Sequence, residues 1–347
     1  MSEVAAGLRY DVLVGTGGLG TGMFVQLVGD HTLGREESRS AALLEQRDRC
    51  KLHIITHYVK TFLGPGFRLV PVGAVGQDEP GRTVLAELGQ LGYETDHVEV
   101  MPDRPTLFSV CFTYPNGDGG NITLDGTASG CVTAADVDRA LPVFEQHAGR
   151  GIALAAPEVP LAARRRLLEL ATAHGFLRAA SFLSGEIDAA RKDGLLDLVD
   201  VLSVNIDEAA AAAGMAYDAA SQPEEIVDAA IDRLRADNPG MQIVVTAGGR
   251  GSWVWDGREL THTRPFAVPV VNTAGAGDSH LGGLLIGLSA GLDLPAANAF
   301  ATLVSAQKVT CVHTINPDVD LASTIEFARA HGASVPAALR DALLSLV

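Results

Sequence analysis

Short, β-branched apolar runs alternate along this chain with segments whose apolar residues recur every three or four positions. YDVLVG (10–15), FRLVPVGAVG (67–76), GIALAAP (151–157), FLRAASF (176–182), VDVLSVN (199–205) and QIVVTAGG (242–249) read as strands. PLAARRRLLELATAHG (160–175) and QPEEIVDAAIDRLRAD (222–237) have helical spacing, with acids early in the second. Strand, helix, strand in succession implies parallel pairing through right-handed crossovers, and a sheet covered on both faces. EAAAAAG (208–214) reads as a small helix stopped by Gly214, and CKLHIITHYVKTFLG (50–64) is also helix-like.

Two stretches break the rhythm. TLFSVCFTYPNGDGGNITLDG (106–126) is two strand-like runs around an Asn-Gly step, which suits a hairpin. Such an insertion serves as a lid, a dimer edge or a surface ornament. GTGGLG (15–20) fits G-x-G-x-x-G after a strand, the phosphate turn of dinucleotide-binding proteins. That reading also needs a long helix, a second strand and an acid about 20 residues on. Here only about eight apolar residues precede Gly29, and Glu36 and Glu37 lie in a polar stretch that opens a helix. Gly17 and Gly18 therefore serve either close passage of the backbone by a ligand or lid, or packing alone.

Composition narrows the classes. Hydrophobic residues are 47% and charged residues 20% of 347, the balance of a globular chain. Lys plus Arg number 26 against 42 Asp plus Glu, a formal charge of −16, which disfavours nucleic acid and anionic membranes as partners. Cys50, Cys111, Cys131 and Cys311 are scattered without a C-x-x-C pair, so neither a disulfide framework nor a zinc site is expected. The start lacks a basic n-region and no apolar run approaches a membrane span, so a cytoplasmic location is expected.

The sharpest chemistry lies in NTAGAGDSHLGGLL (272–285), small residues and an acid at a strand-to-helix junction. The first N–H groups of a helix lack internal partners, and small side chains let an anion approach them and the positive end of the helix dipole. A carboxylate beside an anion repels it, unless the anion's neighbour is a hydroxyl that must lose a proton. Asp278 could accept that proton while the cradle stabilises a moving phosphoryl group. The alternative is a capping Asp in a glycine-rich turn.

This segment resembles D-T-x-G-A-G-D-x-F-x-x-G of the ribokinase-like, PfkB-type carbohydrate and nucleoside kinases. VPVGAVGQDEPGRTVLAELGQLGYETDHV (70–98) is similar to the family's V-G-x-V-G-x-D-x-x-G region, NIDEA (205–209) to N-x-x-E, and TAGGRG (246–251) to T-x-G-x-x-G. The similarity runs from about residue 10 to about 330 in family order. It implies a three-layer α/β/α sandwich with a mainly parallel central sheet, forming one kinase domain over 1–347 with lid elements at about 15–40 and 106–126. It also implies transfer of the γ-phosphoryl of ATP to an acceptor hydroxyl. Asp278 would be the base, and the N–H groups of Gly275, Ala276 and Gly277 the anion hole. Asn205 and Glu208 would organise Mg²⁺ and its waters. Thr246, Gly248 and Gly251 would lie along the nucleotide, with Asn298 near its adenine or ribose. Lids of this family often pair, which allows a homodimer.

The departures cluster at the acceptor end. The family's Asp after the first strand gives way to GTGGLGTG, and its G-G-x-G-x-N segment to the 50–64 helix. Lys51, His53, His57 and Lys60 there form either a ligand face or a buried helix face. Acceptor candidates are thus Gly17, Gly18 and His57, with Asn121 from the hairpin. Asn272 stands where the family commonly has an Asp linked to a monovalent cation, which counts against dependence on such an ion, and His280 stands where Phe is common. The leading expectation is a kinase for a sugar or sugar-like molecule. The alternatives are a nucleoside kinase, or a non-catalytic binding or sensor protein that kept the fold.

Overall fold

The computed structural model describes residues 7–115, 119–217 and 222–346. The Asn116-Gly117 step of the expected hairpin falls outside them. Among the described residues, thirteen strands form two sheets. They are β1 (Val12–Thr16), β2 (Gly20–Leu27), β3 (Ala41–Arg49), β4 (Arg68–Gly76), β5 (Val98–Met101), β6 (Leu107–Thr113), β7 (Gly119–Thr123), β8 (Gly151–Ala155), β9 (Leu177–Ala180), β10 (Val201–Asn205), β11 (Gln242–Thr246), β12 (Ser252–Trp255) and β13 (Leu260–Thr263). The nine-stranded sheet has the order β13-β12-β11-β10-β9-β8-β1-β4-β5, parallel from β5 to β11 and antiparallel at the β12 and β13 edge.

The helices are α1 (Lys51–Leu63), α2 (Glu79–Gln90), α3 (Ala134–Asp138), α4 (Leu141–Gln146), α5 (Leu161–Ala173), α6 (Ile187–Lys192), α7 (Ile206–Ala213), α8 (Pro223–Asp237), α9 (Ala276–Ser289), α10 (Leu294–Lys308), α11 (Leu321–Ala330) and α12 (Ala337–Leu344). Alternate residues of each strand feed different cores, as the two-residue period requires. Val12, Val14, Ala153, Ala155, Ile243 and Val245 pack with α5, α7 and α8. Leu13, Ile152, Leu154 and Val244 pack with α1, α9 and α10. The result is the ribokinase-like three-layer arrangement expected. Among the described residues, no helix is long and apolar enough to cross a membrane.

α9 is wedged between α1 and α10, and its glycines make that possible. A Cβ on Gly282 would lie 2.8 Å from the Ile55 carbonyl oxygen, and one on Gly283 would lie 2.7 Å from Cα of Ala301. The GG pair after Asp278 is thus a packing device, placing the first turn of α9 beside the first turn of α1.

The smaller sheet has the order β3-β2-β6-β7. The 106–126 insertion supplies the antiparallel pair β6 and β7, with Val110 opposite Ile122. The apolar stretch after GTGGLG is strand β2, hydrogen-bonded to β6 and β3. The helix expected to open near Glu36 does not form: residues 28–40 are irregular and AALLEQRDR is β3, so the sheet extends beyond the 15–40 bounds. Ala, Leu, Glu, Gln and Arg favour helix by only about a few tenths of a kcal/mol each. An antiparallel ladder with β2 outweighs that preference.

Candidate functional site

A cavity of about 490 Å³ opens at the carboxyl ends of the parallel strands, a size suited to a small-molecule ligand. Parallel register sets Asn205 beside Thr246 at the ends of β10 and β11, and both line the cavity. Gly248, Gly249 and Gly251 continue that wall, and Gly275, Ala276, Gly277 and Asp278 form the side opposite. The structure therefore gathers segments as far apart in the chain as Lys51 and Val309 around one space.

The junction before α9 is built for close approach. Gly275 caps the helix with φ 80°, and a Cβ there would lie 2.6 Å from the Thr314 carbonyl oxygen. The Ser279 N–H donates to the Gly275 carbonyl at 2.9 Å, the first bond of the helix. The Ala276 N–H closes a turn onto the Thr273 carbonyl at 3.0 Å. It is therefore not a free donor, contrary to the expectation of three. The N–H groups of Gly275 and Gly277 have no acceptor among the described residues.

Asp278 lies in the first turn of α9 with Lys51 as its cation, Nζ to Oδ1 3.7 Å. Asp278 raises the Lys51 pKa above the usual lysine value, outweighing burial, and Glu208 and Glu158 add to it. Asn205 and Glu208 make a reciprocal capping box: Oδ1 of Asn205 accepts from the Glu208 N–H and Oε2 of Glu208 from the Asn205 N–H, both at 2.8 Å. Burial pushes the Glu208 pKa up to about 7 against the pull of Lys51.

Other expected residues lie elsewhere. Asn298 is not in the cavity wall but buried behind it, its Nδ2 donating to Ser252 Oγ at 2.9 Å and Thr263 Oγ1 at 2.8 Å. His57 is half-buried on α1, edge-on to Tyr58, and desolvation lowers its pKa to about 4. His53 is in the core against Tyr93, and the Lys60 ammonium folds back onto the Phe67 carbonyl at 2.8 Å. That helix face is packing, and only Lys51 at its start reaches the cavity. Asn121, on β7, accepts from Cys111 Sγ at 3.7 Å and does not line the cavity.

Gly17 and Gly18 do not line the cavity either; they make room for two side chains. A Cβ on Gly17 would meet Leu52 Cβ at 2.9 Å, and one on Gly18 would collide with the Glu158 carboxylate. Glu158 was not foreseen. It follows β8 with φ 76°, the one positive φ on a non-glycine residue among those described, and its Oε2 is buried without a partner. Burial lifts its pKa to about 7, partly offset by Lys51. Asp48, at the end of β3, is a second buried carboxylate, accepting from Ser109 Oγ and from Cys111 Sγ at 3.6 Å. Nothing in AAPEVP or RDR marks either acid, since their placement depends on which strand ends meet.

Comparison with known proteins identifies the family and the fold. The family model described as pfkB family carbohydrate kinase matches residues 63–321. A fructoselysine 6-kinase of Shigella flexneri is 37% identical over 94 residues, covering 27% of this chain and 36% of that one. The matched part thus spans about a third of that relative's length. A ribokinase of Arabidopsis thaliana, solved with ribose and ATP, superposes with TM-score 0.69 at 20% identity, covering 97% of this chain and 98% of its own. An adenosine kinase of Sinorhizobium meliloti superposes with TM-score 0.69 at 20% identity, covering 92% and 99%. At such identities the two structures establish the fold.

Proposed function

The chain belongs to the pfkB family of carbohydrate kinases, and from that premise we propose that it transfers the γ-phosphoryl group of ATP to a hydroxyl of a sugar or sugar-like small molecule. One observation carries the reading. The Asp278 carboxylate and the free N–H groups of Gly275 and Gly277 share a helix start and face the same cavity as Asn205, Glu208 and Thr246.

Asp278 takes the proton of the acceptor hydroxyl as its oxygen bonds to the γ-phosphorus and the bond from that phosphorus to the bridging oxygen breaks, releasing ADP. Lys51 holds that carboxylate in place and supplies positive charge where the phosphoryl group crosses. The amides of Gly275 and Gly277 receive the developing charge on phosphoryl oxygens without reorganising, because the turn before α9 already holds them. Thr246, Gly248 and Gly251 form the wall along the nucleotide; a Cβ on Gly248 would meet nothing within 4 Å, so that wall is open to a ligand.

The donor set fits Mg²⁺ held through water. No three His, Cys, Asp or Glu residues converge as direct ligands among the described residues, while Asn205 and Glu208 offer hard oxygens at the cavity. Bound there, the ion would neutralise phosphate charge. On the acceptor side, Glu158 and Asp48 replace the carboxylate missing after β1, Glu158 filling the space beside Gly18 and Asp48 that beside Gly22 on β2.

The smaller sheet acts as a lid over the acceptor and as the contact with a second copy of the chain. Met23, Leu43, Ile122 and Leu124 are exposed on it, and β7 is an edge strand, while Arg47 and Arg49 at the end of the other edge, β3, bond to His313 and Thr314. A screen of sugars, sugar phosphates and nucleosides by ADP release tests the reading. ATP consumption that some acceptor stimulates and Asp278→Asn abolishes supports it. Nucleotide binding with no acceptor-dependent turnover would make the chain a binding protein.

A further inference from the structure

Lys308, the last residue of α10, is 0% exposed. Its Nζ donates to the main-chain carbonyl of Asn272 at 2.8 Å, and no carboxylate lies within ion-pair distance among the described residues. An unpaired ammonium in a protein interior is costly. The carboxyl end of α10 offsets part of that cost through its partial negative charge.

The carbonyl that holds the ammonium belongs to the segment leading into the cradle. Val271 and Asn272 donate their N–H groups to the Val309 carbonyl at 2.8 and 3.2 Å. Asn272 Nδ2 donates to the Val312 carbonyl at 2.7 Å, and its Oδ1 accepts from the Ala274 N–H at 2.9 Å. The Thr314 carbonyl then abuts Gly275. Residues 308–314 are thus laced to residues 271–275, and Lys308 is the only fully buried cation in that lacing. Val309 and Thr273, immediate neighbours of the linked residues, line the cavity.

We propose that Lys308 is a positioning residue for phosphoryl transfer: its ammonium fixes the 272–275 segment so that the Gly275 and Gly277 amides face the cavity, and places a positive charge behind them. The proposal rests on the reading of those amides as an anion hole. Desolvation supports it by lowering the Lys308 pKa to about 8, against opposing pulls from Cys311, Asp278 and Asp48. The titratable groups around it are Cys311 and His313 on its own segment, Asp278 on α9 and Asp48 on β3. The ammonium is charged below about pH 8 and neutral above it.

The test uses the full chain with Mg²⁺. Calorimetric titration compares ADP with the non-hydrolysable analogue AMP-PNP, whose third phosphoryl group alone would meet the Gly275 and Gly277 amides on that reading. Lys308→Met is expected to lose roughly tenfold in AMP-PNP affinity with ADP affinity within about twofold, and free ammonium ion is expected to restore part of the loss. In turnover with the acceptor found by screening, wild-type kcat is expected to fall as pH rises through about 8, while Lys308→Arg, charged throughout, lacks that fall. The difference between the two profiles removes contributions common to both, including Asp278. A folded Lys308→Met with unchanged preference for AMP-PNP overturns the proposal, as do identical wild-type and arginine profiles. Should the methionine variant fail to fold, the arginine comparison decides. A wild type that binds neither nucleotide overturns the kinase reading itself, and this one with it.

Discussion

The ammonium of Lys51 lies 3.7 Å from Oδ1 of Asp278, bringing the first turns of α1 and α9 together at the mouth of the cavity. Glu158 and Glu208 also feel that charge, so one lysine serves three carboxylates around the space where an acceptor hydroxyl and a phosphoryl group would meet.

Asp278→Asn is expected to lower kcat by about three orders of magnitude or more while leaving nucleotide affinity nearly unchanged, because the general base is lost and the cradle kept. Lys51→Met is expected to lower kcat by roughly ten- to a hundredfold through loss of charge stabilisation. Steady-state ADP release with parallel nucleotide titrations reads both, and undiminished turnover in the Asn variant would remove Asp278 from its role.

Gly275→Ala puts a Cβ 2.6 Å from the Thr314 carbonyl at a φ of 80°. A loss of about 1–3 kcal/mol in stability is expected from the strained backbone, with a larger proportional loss of turnover from the displaced amides. Chemical denaturation and kinetics on the same preparation check this. A variant as stable and active as the wild type would show that the cradle tolerates a side chain.

Glu158 has a folded-state pKa near 7, above its unfolded value of about 4.5. Between those values the folded state binds more protons than the unfolded one, so stability falls as pH rises from about 4.5 through about 7. Glu158→Gln removes that group's contribution and is expected to flatten the slope of melting temperature against pH over that window. Identical slopes in the two proteins would place the Glu158 carboxyl in a solvated setting instead.

The exposed apolar face of the smaller sheet predicts self-association. Leu43→Glu combined with Ile122→Lys is expected to convert a dimer into monomers in sedimentation velocity, without loss of the fold by circular dichroism. A wild type that sediments as a monomer at roughly tens of micromolar, the range for a modest interface, counts against the pairing.

Much of the architecture was legible because its causes are local and periodic. The apolar runs at 151–157, 199–205 and 242–249 became central parallel strands, and Gly214 stops α7 in the left-handed conformation expected of it. The helix start at Ala276 was legible for the same reason, though Ala276 spends its amide on Thr273. AALLEQRDR misleads because its composition favours a helix while its ladder partner lies in another segment. His57, Asn121 and Asn298 could be named but not aimed, since facing the cavity or the core depends on the rotation of an element against its neighbours.

By itself the sequence determined the alternation that makes a covered parallel sheet, and the small residues and acid that start α9. Both follow from periods and conformational preferences within a few residues. The tertiary structure alone decided that Lys51 meets Asp278, that Glu158 packs against Gly18 and Asp48 against Gly22, and that Lys308 holds the Asn272 carbonyl ahead of α9. Those relationships join residues far apart in the chain, and only close packing of α1, α9 and α10 against the strand ends brings their charges within reach of one another.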